Sequence, residues 1–274
     1  MKIVASGDRL VSAVLVFDAD NTLWDTNAVF RKAQLEILRV FAKSGLIKEP
    51  ESELDNLRLI DKALANLAQD FEYRPIMLPV ALDHYYSQNV SVDEAATWAL
   101  RQGSGYAQDF VRYSCESFNK ALKQIPPMFK DAEEVLIRVQ DSRSSGTPIA
   151  LVMFSEGKAR RLERILEAHQ LRNRKVFDEI VIQKKSLDSF CLVRETACKH
   201  LSTVNEYKET LFVMVGDSIQ RDIVFANRTG FVTVYKPADF LGEELGCSKD
   251  EEPRFRIDSL LELPGLLGRL GIHL

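Results

Sequence analysis

Six residues of chemically useful type stand where apolar runs of the sequence end: Asp18 and Asp20, Ser155, Lys184 or Lys185, Asp217 and Asp222. The pair Asp18-x-Asp20 says little alone, because aspartate is a common turn former. The spacing Gly216-Asp217-Ser218-x-x-x-Asp222 behind a second apolar run says more. Gly216 permits close backbone approach, and Asp217 and Asp222 can face one crevice from a loop and a first helical turn. Carboxylates gathered at adjacent strand ends repel one another in a low-dielectric site, so a cation must hold them. Oxygen donors with no histidine or cysteine cluster nearby favour magnesium, which keeps several waters and needs only one or two carboxylates.

The elements that must position these groups are legible. Ala13–Phe17 (AVLVF) is a continuous β-branched run that suits a strand buried on both faces, and Asp18 follows it directly. Pro148–Phe154, Glu179–Ile182, Leu211–Val215 and Phe231–Tyr235 have the same character. Helical spacing predicts a helix over Lys158–His169, and Ser186 is placed to cap another through Lys199. Strands alternating with helices imply right-handed βαβ units and an α/β fold with a Rossmann-like parallel sheet carrying helices on both faces. Ligands of such sheets bind at the carboxyl ends of the strands, where the six residues lie.

Residues 25–125 break this rhythm, with helical periodicity and no convincing strand. Ala28–Lys43, Glu51–Asp70, Met77–Ser87 and Ala107–Lys123 read as helices, and Ser91 with Glu94 as a capping box. Pro126-Pro127 marks the return to the sheet. The predicted organisation is therefore a core of residues 1–24 and 126–274 interrupted by an all-helical insertion. The Leu-rich tail after Arg254 (Leu260, Leu261, Leu263, Leu266, Leu267) is expected to pack on the sheet domain or to serve a dimer, leaving monomer and homodimer both open.

Composition excludes several classes. A net charge of −4 and a pI near 5.7 argue against a nucleic-acid binder. No run reaches the length of a membrane span, and Met1–Leu10 is polar and mixed, so a cytoplasmic protein without a membrane partner is expected. The four cysteines (Cys115, Cys191, Cys198, Cys247) show no CxxC pair and read as small buried hydrophobes. The charges of Lys158, Arg160, Arg161 and Arg164 alternate with Glu163 and Glu167 and read as a solvated helix face.

Asp18-Ala19-Asp20-Asn21-Thr22-Leu23 at the end of the first strand resembles the first motif of the haloacid dehalogenase superfamily, and Gly216-Asp217-Ser218-Ile219-Gln220-Arg221-Asp222 resembles its last. The run ending at Ser155 is similar to the second motif, and the lysine before the Ser186 helix to the third. Lys184 suits the family spacing to Ser186 and Phe190, with Lys185 as the alternative. The resemblance implies a magnesium-dependent phosphohydrolase acting on a small phosphomonoester such as a sugar phosphate or nucleoside monophosphate. Asp18 would become an aspartyl phosphate, Asp20 would serve as acid and then base, Ser155 would bond a phosphoryl oxygen, and the lysine would neutralise charge. Asp18, the backbone carbonyl of Asp20 and Asp217 would bind magnesium, with Asp222 beside it. Asn21 departs from the glycine common at its position but tolerates unusual backbone angles. Asp20 speaks against a dehalogenase, whose halide leaves without a proton. A phosphomutase or phosphotransferase using the same site, and a non-catalytic phosphoester-binding module, are the alternatives.

The insertion resembles the cap that many members place over the active site to exclude water and supply specificity. Arg74, His84, Tyr85, Tyr86, Trp98 and Arg101 are its candidate ligand contacts, although aromatic residues in a helical bundle more often form its core. Trp24 and Asp25 lead into the insertion and receive no chemical role.

Overall fold

The structure, a computed structural model, describes residues 12–68, 73–102, 105, 108–201, 210–238 and 248–274. Met1–Leu10, Asp70, Ala107 and Cys247 of the sequence reading lie outside them. The chain divides into two compact units, one of residues 1–26 and 125–274 and the other of residues 27–124.

The first unit is built on strands β1 (Ser12–Phe17), β2 (Ile149–Ser155), β3 (Glu179–Ile182), β4 (Thr210–Gly216), β5 (Val232–Tyr235) and β6 (Phe255–Arg256). They form one sheet in the order β3-β2-β1-β4-β5-β6, every pair parallel. The chain leaves β1 for β2 and β3 on one side and returns to β4 on the other. The switch in direction therefore falls between β1 and β4, where parallel sheets open their ligand crevice.

Alternate side chains of each strand serve opposite faces. Leu15, Phe17, Leu151, Met153, Val213 and Val215 meet the apolar stripes of α6 (Lys130–Ser144), α7 (Ala159–Ala168) and α10 (Leu263–Arg269). Val14, Val16, Val152, Phe154, Phe212 and Met214 meet α8 (Leu187–Leu201) and α9 (Val224–Arg228) through Phe190, Val193, Ala197 and Ala226. Each face thus buries a layer of apolar side chains, which is why these strands read as unbroken apolar runs.

The Leu-rich tail divides between β6, a short 3-10 turn at Leu260–Glu262 and α10. Leu260, Leu263, Leu266 and Leu267 are buried in the sheet unit, while Leu261 is exposed. Strand β6 was not legible as one, because two residues carry no period. Ser186 caps α8 as expected, accepting from the Ser189 backbone N–H at 3.2 Å. The cysteine reading needs correction: Cys115 is buried, but Cys191 and Cys198 are exposed.

The second unit holds most of α1 (Thr26–Lys43), with α2 (Leu54–Leu67), α3 (Met77–Gln88), α4 (Val92–Gln102) and α5 (Asp109–Ala121). Its core gathers Ile37, Leu38, Phe41, Leu57, Ile60, Leu64, Leu78, Leu82 and Phe118. Tyr85, Tyr86 and Trp98 pack against that core, and His84 stacks on Trp98 with ring centroids 4.1 Å apart. No helix among the described residues is long and apolar enough to cross a membrane.

Within the first unit, the segments on either side of the insertion lie side by side. Asp25 N–H donates to Pro127 at 2.9 Å, Phe129 N–H donates to Leu23 at 3.0 Å, and Trp24 bridges Met128.

Candidate active site

Strand β1 delivers Asp18 to the carboxyl edge of the sheet, and the ladder with β4 continues through it, since Asp18 N–H donates to the Val215 carbonyl at 2.9 Å. The chain then turns sharply. Asn21 takes φ 60°, a left-handed conformation that asparagine tolerates among non-glycine residues. On the neighbouring strand β4 ends at Gly216, and Asp217 follows.

Asp222 lies in a single π-helical turn, Ile219–Ile223, and is fully buried. Such turns recur at functional sites because they re-aim a side chain. Asp222 Oδ2 accepts from the Ser218 N–H at 3.0 Å, while Ser218 Oγ accepts from Arg221 N–H at 3.3 Å. The carboxylate folds back against the backbone of Gly216 so closely that any Cβ there would coincide with it. Gly216 is thus required by the packing of Asp222.

Of the two candidate lysines the structure brings Lys185, not the preferred Lys184, into the site: Lys184 is exposed, whereas Lys185 is buried with its ammonium bonded to Asp18 Oδ1 and, at 2.5 Å, to Asp222 Oδ1. Two features select it. The Lys185 N–H is clasped by Glu156 Oε1 at 2.6 Å, which fixes the loop after β3, and the Phe154 ring lies 5.5 Å from its Nζ. Glu156 itself pairs with Arg221 at 3.4 Å.

Asp18, Asp217 and Asp222 each offer a carboxylate oxygen, all within 4.8 Å of one another. Three negative charges against one ammonium leave a surplus of two, and the donors are all oxygen, so the set fits a hard divalent cation. Burial pushes the Asp18 carboxyl well above its ordinary range; Lys185 opposes this, and the charges of Asp222 and Asp217 add to it. Burial works to lower the Lys185 ammonium, but Asp18 and Asp222 outweigh it and raise the group above its ordinary value.

Asp20 lines the same cleft but has its own partners. Its Oδ1 accepts from Trp24 Nε1 at 3.0 Å, from Thr26 Oγ1, and from Arg161 Nη1 at 3.0 Å; Oδ2 accepts from the same Nη1 at 3.1 Å. Arg161 is therefore misassigned as part of a solvated face. Lys158, Arg160 and Arg164 are exposed, but Arg161 turns from α7 toward the Asp20 loop. Trp24, which received no chemical role, is a buried donor to Asp20.

Ser155 ends β2 and is buried, its Oγ accepting from the Gly157 N–H at 3.1 Å. Together Asp18, Asp20, Asn21, Ser155, Glu156, Gly157, Lys185, Asp217, Ser218, Arg221 and Asp222 line one cleft of about 330 Å³. Of the strand-end residues named from the sequence, Lys184 stands outside it, and the candidate contacts of the insertion (Arg74, His84, Tyr85, Tyr86, Trp98 and Arg101) are not among its lining residues. The arrangement offers a buried carboxylate beside a fixed cation, a hydroxyl, and a second carboxylate held apart from the first.

No family model matches the sequence, and no curated protein matches it. Solved structures do match in fold. A haloacid dehalogenase-like family hydrolase from Xanthomonas campestris superposes with a TM-score of 0.59 at 17% identity, covering 96% of this chain and 97% of that one. The magnesium-bound haloacid dehalogenase-type hydrolase YfnB from Bacillus subtilis gives 0.56 at 18% identity, covering 94% and 99%. L-2-haloacid dehalogenase from Xanthobacter autotrophicus, with chloropropionic acid covalently bound, gives 0.50 at 16% identity, covering 94% and 98%. The chain has the fold of the haloacid dehalogenase-like hydrolases.

Proposed function

We propose that this protein is a magnesium-dependent phosphohydrolase that cleaves a small phosphomonoester through an aspartyl phosphate on Asp18. The observation that carries this reading is the difference in surroundings of two carboxylates in one cleft: Asp18 is buried against the Lys185 ammonium, while Asp20 is held by a separate set of donors. A nucleophile and an acid–base group need such different surroundings. Asp20 also favours phosphoester over carbon–halogen chemistry, since an alkoxide leaving group needs a proton and a halide does not.

Asp18 attacks phosphorus, and the bond to the leaving oxygen breaks as Asp20 gives that oxygen a proton. Asp20 then takes a proton from a water that attacks the phosphorus of the aspartyl phosphate, releasing phosphate and restoring Asp18. The Ser155 hydroxyl donates to a phosphoryl oxygen, and Lys185 neutralises charge on Asp18 and on the transferring group. Asp18, the backbone carbonyl of Asp20, and Asp217 would hold magnesium, with Asp222 beside it. The ion, when bound, supplies charge neutralisation at the phosphoryl oxygens. A polar cleft of about 330 Å³ suits a small substrate, and residues 27–124 would serve as the cap that selects it.

Phosphate release from a panel of phosphomonoesters, with magnesium and with chelator, tests the reading. Magnesium-dependent release that Asp18→Asn abolishes supports it. Release that persists in Asp18→Asn rules out the covalent mechanism.

A further inference from the structure

We infer that Arg161 is a positioning residue for Asp20, fixing the orientation in which that carboxyl acts as acid; this rests on the phosphohydrolase reading above. Asp20 lies in the loop three residues beyond the end of β1, with its side chain partly exposed. Trp24 Nε1 and Thr26 Oγ1 both bond Oδ1, which leaves Oδ2 to another donor. Arg161 Nη1 contacts both oxygens, at 3.0 and 3.1 Å, and so holds Oδ2 as well as Oδ1. Its Nη2 donates to Thr26 Oγ1 at 3.1 Å, so one planar guanidinium ties the acid to a neighbouring donor.

Gly157 lies beside this arrangement. A Cβ on Gly157 would meet Ser155 Oγ at 3.2 Å, Asp20 Oδ2 at 3.6 Å and Arg161 Nη1 at 3.9 Å. The glycine therefore sits where the phosphate-binding hydroxyl, the acid and the guanidinium converge. The apolar stripe of α7 does not call for Arg161, since Leu162, Ile165 and Leu166 carry the packing and Arg160 beside it is exposed. A lysine could not replace the guanidinium in full, because its one nitrogen cannot stand at the Nη1 and Nη2 positions together.

A residue that merely fastened α7 to the loop would affect all substrates alike. A residue that aims the acid matters only where the leaving oxygen needs its proton. The test is kcat/KM, which reports steps through departure of the leaving group, for para-nitrophenyl phosphate and for the alkyl phosphomonoester the wild type hydrolyses best. Arg161→Gln should lose about tenfold to a hundredfold on the alkyl ester and less than about threefold on the nitrophenyl ester, since a positioned acid contributes at least that much to a poor leaving group. Arg160→Gln carries the same charge change and should alter neither, and Arg161→Lys should recover only part of the loss. Equal losses on both esters in Arg161→Gln would overturn the inference while leaving the phosphohydrolase standing. Absence of phosphate release by the wild type would remove that reading instead, and the geometry is then decided without turnover. The chain has two tryptophans, so the Trp24 indole N–H signal can be assigned by NMR with Trp98→Phe. It should move in Arg161→Gln and stay in Arg160→Gln; a signal unmoved in Arg161→Gln overturns the inference.

Discussion

Replacing Lys185 by methionine keeps the volume of the side chain and removes its charge, which isolates the electrostatic part of the site. The ammonium touches Asp18 and Asp222, and the three side chains are nearly inaccessible, so screening by solvent is slight. Two unit charges about 4 Å apart attract by roughly 4 kcal/mol at an effective dielectric constant of about 20. Two such attractions vanish in Lys185→Met, and the penalty of burying the ammonium, several kcal/mol, is recovered. The expected loss is therefore about 3–5 kcal/mol, the range seen when one partner of a buried ion pair is removed. For a unit of this size that lowers Tm by roughly 6–20 °C. The loss should also depend on pH in one direction. The Asp18 carboxyl is raised by burial in the folded protein, so its contribution is favourable below the ordinary carboxylate range and is lost as pH rises through the folded value. Without Lys185 the rise is steeper, and the gap between variant and wild type should shrink on acidification. Thermal unfolding of both proteins between pH 5 and pH 8 (roughly the range in which stability is normally greatest), without metal, measures this. A Tm difference that stays within 2 °C (about 1 kcal/mol or less), or one that grows as pH falls, would refute the reasoning.

Gly216→Ala should displace Asp222 and cost about 1–3 kcal/mol, as overpacking does; urea unfolding checks the stability and magnesium titration the loss of affinity. Magnesium should raise Tm, by an amount equivalent to about 2.7 kcal/mol at a hundred times Kd, and Asp217→Asn should shrink that shift in a thermal-shift assay. In the helical unit, Tyr73 donates to Asp61, whose carboxyl is raised by burial. Tyr73→Phe should cost about 1–3 kcal/mol at neutral pH, and less as pH falls and Asp61 takes up a proton, which unfolding at two pH values would show.

The strands and the ends that carry Asp18, Ser155 and Asp217 were legible because a strand buried on both faces must be apolar throughout, so its last residue is marked by the first polar one. The choice between Lys184 and Lys185 was not, because adjacent residues of a loop differ only in direction. That direction is set by Glu156, twenty-nine residues away in sequence, gripping the Lys185 N–H. Arg161 was hidden for a related reason: its charge fits the outer pattern of α7, and only the tertiary approach of Asp20 turns it inward. The exposed cysteines were readable after all. Phe190, Val193 and Ala197 form the inner stripe of α8, and Cys191 and Cys198 each fall one residue past it.

The pairing of residues 23–25 with 127–129 places side by side the two points at which the sheet unit gives way to the insertion of residues 27–124. Its removal would leave two chain ends already held within hydrogen-bonding distance, to be rejoined by a short turn. Neither the order of strands nor the ladder beside Asp18 would have to change. Exchange of the insertion as one piece would therefore leave the cleft of Asp18, Lys185 and Asp222 built on the same strands.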